Sequence, residues 1–485
     1  MTYSPQLERK EVEAIRASGK SLYWFVLNFW SVLNADPFVD GPHIKYLCDH
    51  LQDYKDAVVN REYIEDLIIN VPPGSSKSTI VSQMFPVWLW IHAPWAVVIT
   101  SSYSSGLSIY HAAKSRQIVD SDRFKKWFGS IILHRYGKEM QFVTDKEREQ
   151  VNNFGGSRIT TSTSGTITGK HGHIIIEDDP MNPEEAFSLA YRTKANRYSD
   201  QTLHSRKKDK RITPRILVMQ RLHEDDSTGH KLAKGKKVRH ICLPAEISDA
   251  VKPTEAKEIY VNGLLDPERM PPSVLDDFLK ELGSYGYAGQ FDQLPSPIGG
   301  GLIKGDWFPR FPLSAIPPGP VHFYVDPAYT EKKQNDPTAV LAYKVFQGKL
   351  YILHSVAVRK EFPDLCAWLP EYVNAVGYGP HSYIRVEPKA SGLSIIQQLG
   401  SSTQLNVVTA PNPENDKISR VVSISPIIEA GRVLIASVEG GWVGEFVGEC
   451  EAFPNGSHDD RVDTLEGAVR CELVNEMANT IRKTN

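Results

Sequence analysis

The stretch IINVPPGSSKSTIVSQ, residues 68–83, runs from an apolar segment through Pro-Pro-Gly-Ser-Ser into a lysine, two hydroxyls and a new apolar-periodic segment. A triphosphate needs this order: backbone N–H groups at a helix N-terminus, a lysine that reaches the terminal phosphates and a hydroxyl that holds magnesium. Gly74, Ser75, Ser76, Lys77, Ser78 and Thr79 supply all three. The common pattern has glycine where Val71 and Ser76 stand, so Ser76 must take a glycine-like backbone or the loop a different path. A plain strand-turn-helix remains the alternative.

Other short apolar or β-branched runs flank this segment: AVVITSS (96–102), SRITTS (157–162), HIIIE (173–177) and RILVMQ (215–220). Helical candidates such as GLSIYHAAKSRQIVDS lie between several of them, which predicts crossover units and a largely parallel sheet of the α/β class. At 485 residues the chain is too long for one core, and two domains are expected. Proline and glycine override any period over residues 293–320, which predicts a 1–292 domain, a 293–320 linker and a 321–485 domain. In the last of these, antiparallel runs with a Gln347-Gly348 hairpin precede helix, strand and helix, predicting a mixed sheet covered by helices.

The composition, 41% hydrophobic and 23% charged with a net charge of −3, excludes disordered and fibrous classes and requires local basic patches if nucleic acid is a partner. No apolar window spans a bilayer and the start lacks a signal-peptide core, so no membrane association and a cytosolic protein are expected. Five scattered cysteines predict reduced, mostly buried thiols.

The second chemical element is HGHIIIEDDP, residues 171–180, with three acids at the C-terminal end of an apolar strand, where α/β sheets hold ligands. A nucleotide-bound magnesium would relieve their repulsion. Asp178 is expected to direct the metal and Asp179 to polarise the attacking water, with Glu177 and Asp178 as the alternative pair. The competing reading is an acidic turn capping a helix at NPEEAF. Lys170 and Arg158 are weaker phosphate-contact candidates. Gln220 and Arg221, in VMQRLHEDD, suit the sensing of a terminal phosphate, whereas His223, Glu224, Asp225 and Asp226 are expected to face solvent. The densest charge run is RKKDKR, residues 206–211.

Acids also recur in the second half. Asp326 follows VHFYV, Glu387 follows YIRV, and GSHDDRVDTLEGAV carries His458, Asp459, Asp460 and Asp463, the last two a helical turn apart. Three or more converging carboxylates bind two divalent metals and suit phosphodiester cleavage. Taken singly, each is a strand-to-turn junction or a helix cap. Lys389 is expected to be solvated.

NVPPGSSKST, TGKHGHIIIEDDP, VMQRLHEDD, GQFDQLPSPIGGG, VDPAYT, VEPKASG and HDDRVDTLEGA, in that order, make the chain resemble the large terminase subunit of tailed bacteriophages. That resemblance implies a P-loop ATPase domain and a ribonuclease H-like nuclease. Lys77 and Ser78 would hold phosphate and magnesium, Asp178 and Asp179 would serve ATP hydrolysis, and Gln220 and Arg221 would couple it to movement. Asp326, Glu387 and Asp460 would bind the nuclease Mg2+ or Mn2+, helped by Asp459, Asp463 and His458. It also implies double-stranded DNA, a procapsid portal protein and a small terminase subunit as partners. A homo-oligomeric ring, a pentamer when docked, would work in the host cytoplasm, transiently on the portal. An adenine contact would lie near GPHIKYLCDHL, residues 41–51, which reads equally as an amphipathic helix. The rivals are a helicase-nuclease of repair or recombination and a DNA-binding scaffold with degenerate sites.

Overall fold

The computed structural model describes residues 5–295, 301–327, 337–388, 392–413, 415–438, 441–456 and 458–474. The chain divides into two compact units, Met1–Leu279 with Gly286–Ser296, and Lys280–Tyr285 with Pro297–Asn485.

In the first unit the β-branched runs become strands β1 (Asp66–Asn70), β2 (Val97–Ser102), β3 (Phe142–Lys146), β4 (Glu149–Asn152), β5 (Ser157–Ser162), β6 (Ile174–Asp178), β7 (Arg215–Met219) and β8 (Val238–Cys242). They form one sheet in the order β3-β4-β5-β2-β6-β7-β1-β8. From β5 to β8 all neighbours are parallel, and only β3-β4-β5 pair antiparallel. Burial on both faces explains the unbroken apolar runs of β1, β6 and β7. One face packs under the helices Leu22–Leu33, Pro42–Asn60 and Phe85–His92, with Phe25, Phe29, Trp88, Trp90 and Phe128 fully buried. Ile68, Leu217 and Met219 on the other face pack with Met181, Ala186, Ala195 and Leu222.

The second unit holds strands β9 (Arg310–Phe311), β10 (His322–Asp326), β11 (Thr338–Phe346), β12 (Lys349–Val358), β13 (Ile384–Val386), β14 (Val407–Thr409) and β15 (Val433–Ala436). Their order is β14-β13-β10-β11-β12-β15-β9, antiparallel at β10-β11-β12 and parallel elsewhere. The β11-β12 hairpin turns at Gln347 and Gly348, with φ of 48° and 69°, as a two-residue turn between right-twisted strands requires. Helix Asp460–Val469 crosses this sheet against β10 and β11. Helix Phe362–Val376 packs on its apolar side through Leu365, Leu369 and Val373. Leu302, Ile303 and Phe308, from the Pro/Gly-rich 293–320 segment, are buried in this unit's core.

The fold is therefore α/β with one largely parallel and one mixed sheet. All five cysteines are free, with four buried and Cys366 partly so. Among the described residues no helix is long and apolar enough to cross a membrane.

Candidate nucleotide and nuclease sites

The loop after β1 enters its helix at Lys77, and the next turns are wide, a π-helical segment Thr79–Met84 that precedes the helix Phe85–His92. Gly74 has φ 77° and Ser76 has φ 61°, so Ser76 does adopt the backbone that glycine usually supplies. The loop is braced from three sides. Ser75 Oγ donates to the Pro72 carbonyl at 2.7 Å, and the ring of His43 meets the Ser75 carbonyl at 3.1 Å. Arg269 donates to Ser76 Oγ at 2.7 Å and to the Val39 carbonyl at 2.9 Å, while Asp266 holds its Nε at 2.8 Å. Helix Pro42–Asn60 thus takes over the 41–51 segment as an amphipathic helix whose His43, Ile44, Leu47, Cys48 and Leu51 are buried.

β6 lies beside β7, two strands from β1, and delivers its acids to this loop. Ser78 Oγ donates to Asp178 Oδ1 at 2.9 Å, and Lys77 Nζ lies 3.4 Å from Asp179 Oδ2 while also donating to Gln220 Oε1. Successive strand residues point to opposite faces, and Glu177 accordingly turns away from the loop to Arg215 at 2.5 Å and Lys231 at 3.1 Å. Asp179 breaks that alternation. Its φ of 43° turns the chain so that Asp178 and Asp179 both address the lysine-serine pair.

Burial raises both acids. Asp179 is pushed up to about 6 against the pull of Lys77, with Asp178 adding to the rise, and Asp178 is raised by burial against the pull of Ser82 and Lys77. For Glu177 burial loses to Arg215 and Lys231, which hold it down at about 2. The three acids thus separate into a poised pair and a structural ion cluster.

Asp178 Oδ2 is buried and has no hydrogen-bond partner among the described residues; His111 Nε2 stands 3.5 Å away. An orphaned carboxylate oxygen beside a serine hydroxyl fits a hard divalent cation held by Ser78 and Asp178. Magnesium there would neutralise phosphate charge.

The remaining first-unit candidates fall elsewhere. Arg158 is fully buried on β5 and donates to Ser115 Oγ, with burial lowering it to about 9 against the pull of Asp178. Lys170 is exposed and pairs with Glu149 at 2.6 Å. Arg221 is committed to Asp226 at 2.9 Å, and Asp226 also caps the helix Ser227–Ala233 through Gly229 N at 2.9 Å. Of the four residues expected to face solvent, Glu224 and Asp225 do. His223 and Asp226 are buried instead, because cap and ion pair draw Asp226 inward. His111 and Arg269 carried no local sequence signal. Their contacts exist only once separate elements meet.

In the second unit, β10 and β13 pair in parallel, and Glu387 N donates to the Val325 carbonyl at 3.1 Å. Asp326 and Glu387 therefore sit side by side at the ends of neighbouring strands. Glu387 accepts from Tyr324 Oη at 3.3 Å. Helix Asp460–Val469 brings a second group. Lys417 pairs with Asp459 at 2.7 Å and Asp463 at 2.5 Å, and Arg420 with Asp463 at 3.3 Å and Glu466 at 2.5 Å. Against its own burial, Arg420 is raised by Glu466, Asp463 and Glu387, so both groups share one electrostatic neighbourhood. His458 is exposed, and Lys389 lies outside the described residues. Among the described residues no three His, Cys, Asp or Glu side chains form a set that could hold a metal. As placed, Asp459, Asp463 and Glu466 are neutralised by Lys417 and Arg420.

Residues 323–470 match the family model of the terminase RNaseH-like domain. The chain resembles a large terminase. No curated protein matches it. Among solved structures, the large terminase of a thermophilic bacteriophage aligns over 86% of this chain and 98% of its own, at 11% identity and a TM-score of 0.44. The HK97 bacteriophage large terminase aligns over 93% and 99%, at 12% identity and a TM-score of 0.36. The large terminase nuclease domain of bacteriophage SPP1, solved with bound Mn, aligns over 35% and 98%, at 11% identity and a TM-score of 0.26. Structural likenesses this distant carry no argument about activity. The terminase RNaseH-like match does cover Asp326, Glu387, Asp459, Asp460 and Asp463.

Proposed function

We propose that the chain is the large subunit of a terminase, in which ATP hydrolysis by the first unit drives double-stranded viral DNA into a procapsid and the second unit cuts concatemeric DNA. The observation that carries this reading is one chain holding both the Lys77–Ser78–Asp178–Asp179 constellation and a terminase RNaseH-like match. Lys77 holds the terminal phosphates and offsets charge on the transferred phosphoryl group. Asp179, partly buried beside Lys77, orients and deprotonates the attacking water. Gln220 shares Lys77 with Asp179, so a phosphate that draws the lysine away releases Gln220. That is a link from phosphate occupancy to β7. The acids about Asp326 and Glu387 are the proposed seat of phosphodiester cleavage, with Asp460 and Asp463 contributed by the crossing helix.

The partners belong to the same proposal: duplex DNA, a portal protein, a small terminase subunit and a ring of like subunits, pentameric when docked in the host cytoplasm. DNA contacts would be mainly to phosphates and sensitive to salt. Lys77→Ala is expected to abolish ATPase activity and leave metal-dependent DNA cleavage measurable. Asp326→Ala should do the converse. Stimulation of ATP turnover by portal-bearing procapsids separates packaging from repair; equal residual turnover in Lys77→Ala, or unwinding of a forked duplex without procapsid stimulation, would overturn the packaging assignment.

A further inference from the structure

The basic run at residues 206–211 belongs to neither site above. In the first unit Lys207, Lys210 and Arg211 line a cavity of about 420 Å³, and Lys234, Lys236 and Lys237, from the end of helix Ser227–Ala233 and the loop after it, line it as well. Two basic segments far apart in sequence meet here. Arg215 and Lys231 form the inner wall and share Glu177.

Eight cationic side chains therefore face three acidic ones, Asp66, Glu177 and Asp200. Each acid is already engaged: Asp66 with Lys207 at 3.4 Å, Glu177 with the inner pair, and Asp200 with His230 at 2.8 Å and with Lys234. The excess is positive. Lys210, Lys236 and Lys237 are exposed and form no ion pair among the described residues, and Lys237 acts on Glu65 only at longer range. Arg215 is 6% exposed and its Nε is buried without a hydrogen-bond partner. Burial pushes Lys231 down to about 8 even though Glu177 pulls it up, with Arg215 adding to the fall. Cations crowded this way are stabilised by an anion.

The form of the site indicates which anion. The unpaired cations are lysines on an open rim, point charges on flexible stems that follow phosphate without reading base edges. Tyr63, 65% exposed, lines the same cavity and offers a hydroxyl donor to phosphate beside them.

We propose that this basic rim grips the phosphodiester backbone of duplex DNA, on the sheet face opposite the nucleotide loop. The proposal rests on the packaging reading and adds a place for the DNA. Glu177 in the cavity and Asp178 at Ser78 are consecutive residues of β6 that face opposite ways. Helix Ser227–Ala233, which carries Lys231, is tied to the strand that feeds the nucleotide loop by Asn70 Nδ2 donating to Thr228 Oγ1 at 2.9 Å. Grip and hydrolysis thus share β6, β1 and this helix.

The test compares the full chain with a Lys210→Glu/Lys236→Glu/Lys237→Glu triple variant, using fluorescence anisotropy on a labelled DNA duplex across a salt series. All three positions are exposed and lie outside the nucleotide site, so basal ATPase should stay at the wild-type rate and certify folding. DNA affinity should fall at least tenfold, the log-log salt slope should shrink by about 2 to 3, and DNA-stimulated ATPase should be lost. Unchanged affinity and slope in the triple variant, with a wild type that binds DNA, would overturn the grip and leave the packaging reading standing. A wild type that binds no DNA would sink the packaging reading itself. Inorganic tripolyphosphate is added in a Lys77→Ala background to silence the nucleotide loop. If it binds the chain tightly, loses that binding in the triple variant, and DNA affinity is untouched, the cavity is a small-phosphate site and the DNA assignment fails.

Discussion

At the scale of single residues, Asp178 and Asp179 show how one torsion changes chemistry. Burial alone would make both poor anions, and Lys77 alone would make both strong ones; the balance leaves Asp179 at about 6. The sign follows directly. Asp179 is protonated below that value and cannot accept a proton, so kcat/KM for ATP, which reports the free enzyme, should fall with acidification through about pH 6 and level off above it. A pH profile of ATP turnover checks this, and a limb that stays near pH 4 would remove Asp179 as the base. Glu177, one residue earlier, has the opposite behaviour. Its value near 2 lies below the ordinary 4.5, so its contribution to stability is complete above about pH 4.5 and is lost as pH falls through 2. Glu177→Gln leaves Arg215 and Lys231 buried with one neutral partner and should cost about 3 kcal/mol in urea unfolding at pH 7.

Among elements, the loop after β1 trades backbone strain against a side-chain contact. A non-glycine residue at positive φ costs about 1 kcal/mol or more, and the Arg269 hydrogen bond to Ser76 Oγ returns about 1 kcal/mol. Ser76→Gly should therefore change unfolding free energy by less than about 1 kcal/mol. Ser76→Val loses the hydrogen bond and adds β-branching at φ 61°, so a loss of about 2 to 3 kcal/mol is expected, with weaker ATP binding by calorimetry. The crossing helix in the second unit has less latitude. A Cβ on Gly467 would lie 2.1 Å from Tyr324 Cζ, so helix and β10 approach as closely as a bare backbone allows. Gly467→Ala should force the helix that carries Asp460 and Asp463 off the strand that ends in Asp326, costing about 1–3 kcal/mol. DNA cleavage should fall sharply while ATPase, housed in the other unit, stays at wild-type level.

For the whole molecule, two separate cores match the two proposed activities. The aromatic core about Phe25, Phe29, Trp88 and Phe128 lies wholly in the first unit, and the cluster about Tyr324, Leu341 and Phe446 wholly in the second. The local periodicities that made β1, β6 and β7 legible lie in chain segments buried on both faces, where apolar residues run without a break. β3, β4 and β14 left no comparable trace, since β3 is largely exposed, β4 only half-buried, and β14 three partly exposed residues.

The order of residues by itself determined the tight loop between β1 and its helix, the acidic strand end, the hairpin at Gln347-Gly348 and the strand-end positions of Asp326 and Glu387, because each depends on neighbours within a turn or strand. Only the tertiary structure decided which of three successive acids faces Lys77, since φ at Asp179 is set by the contacts that hold the turn. It alone brought Arg269 to Ser76, Lys417 to Asp459 and Asp463, and the two lysine-rich segments to one cavity. Those contacts join residues far apart in the chain, and packing sets their distances.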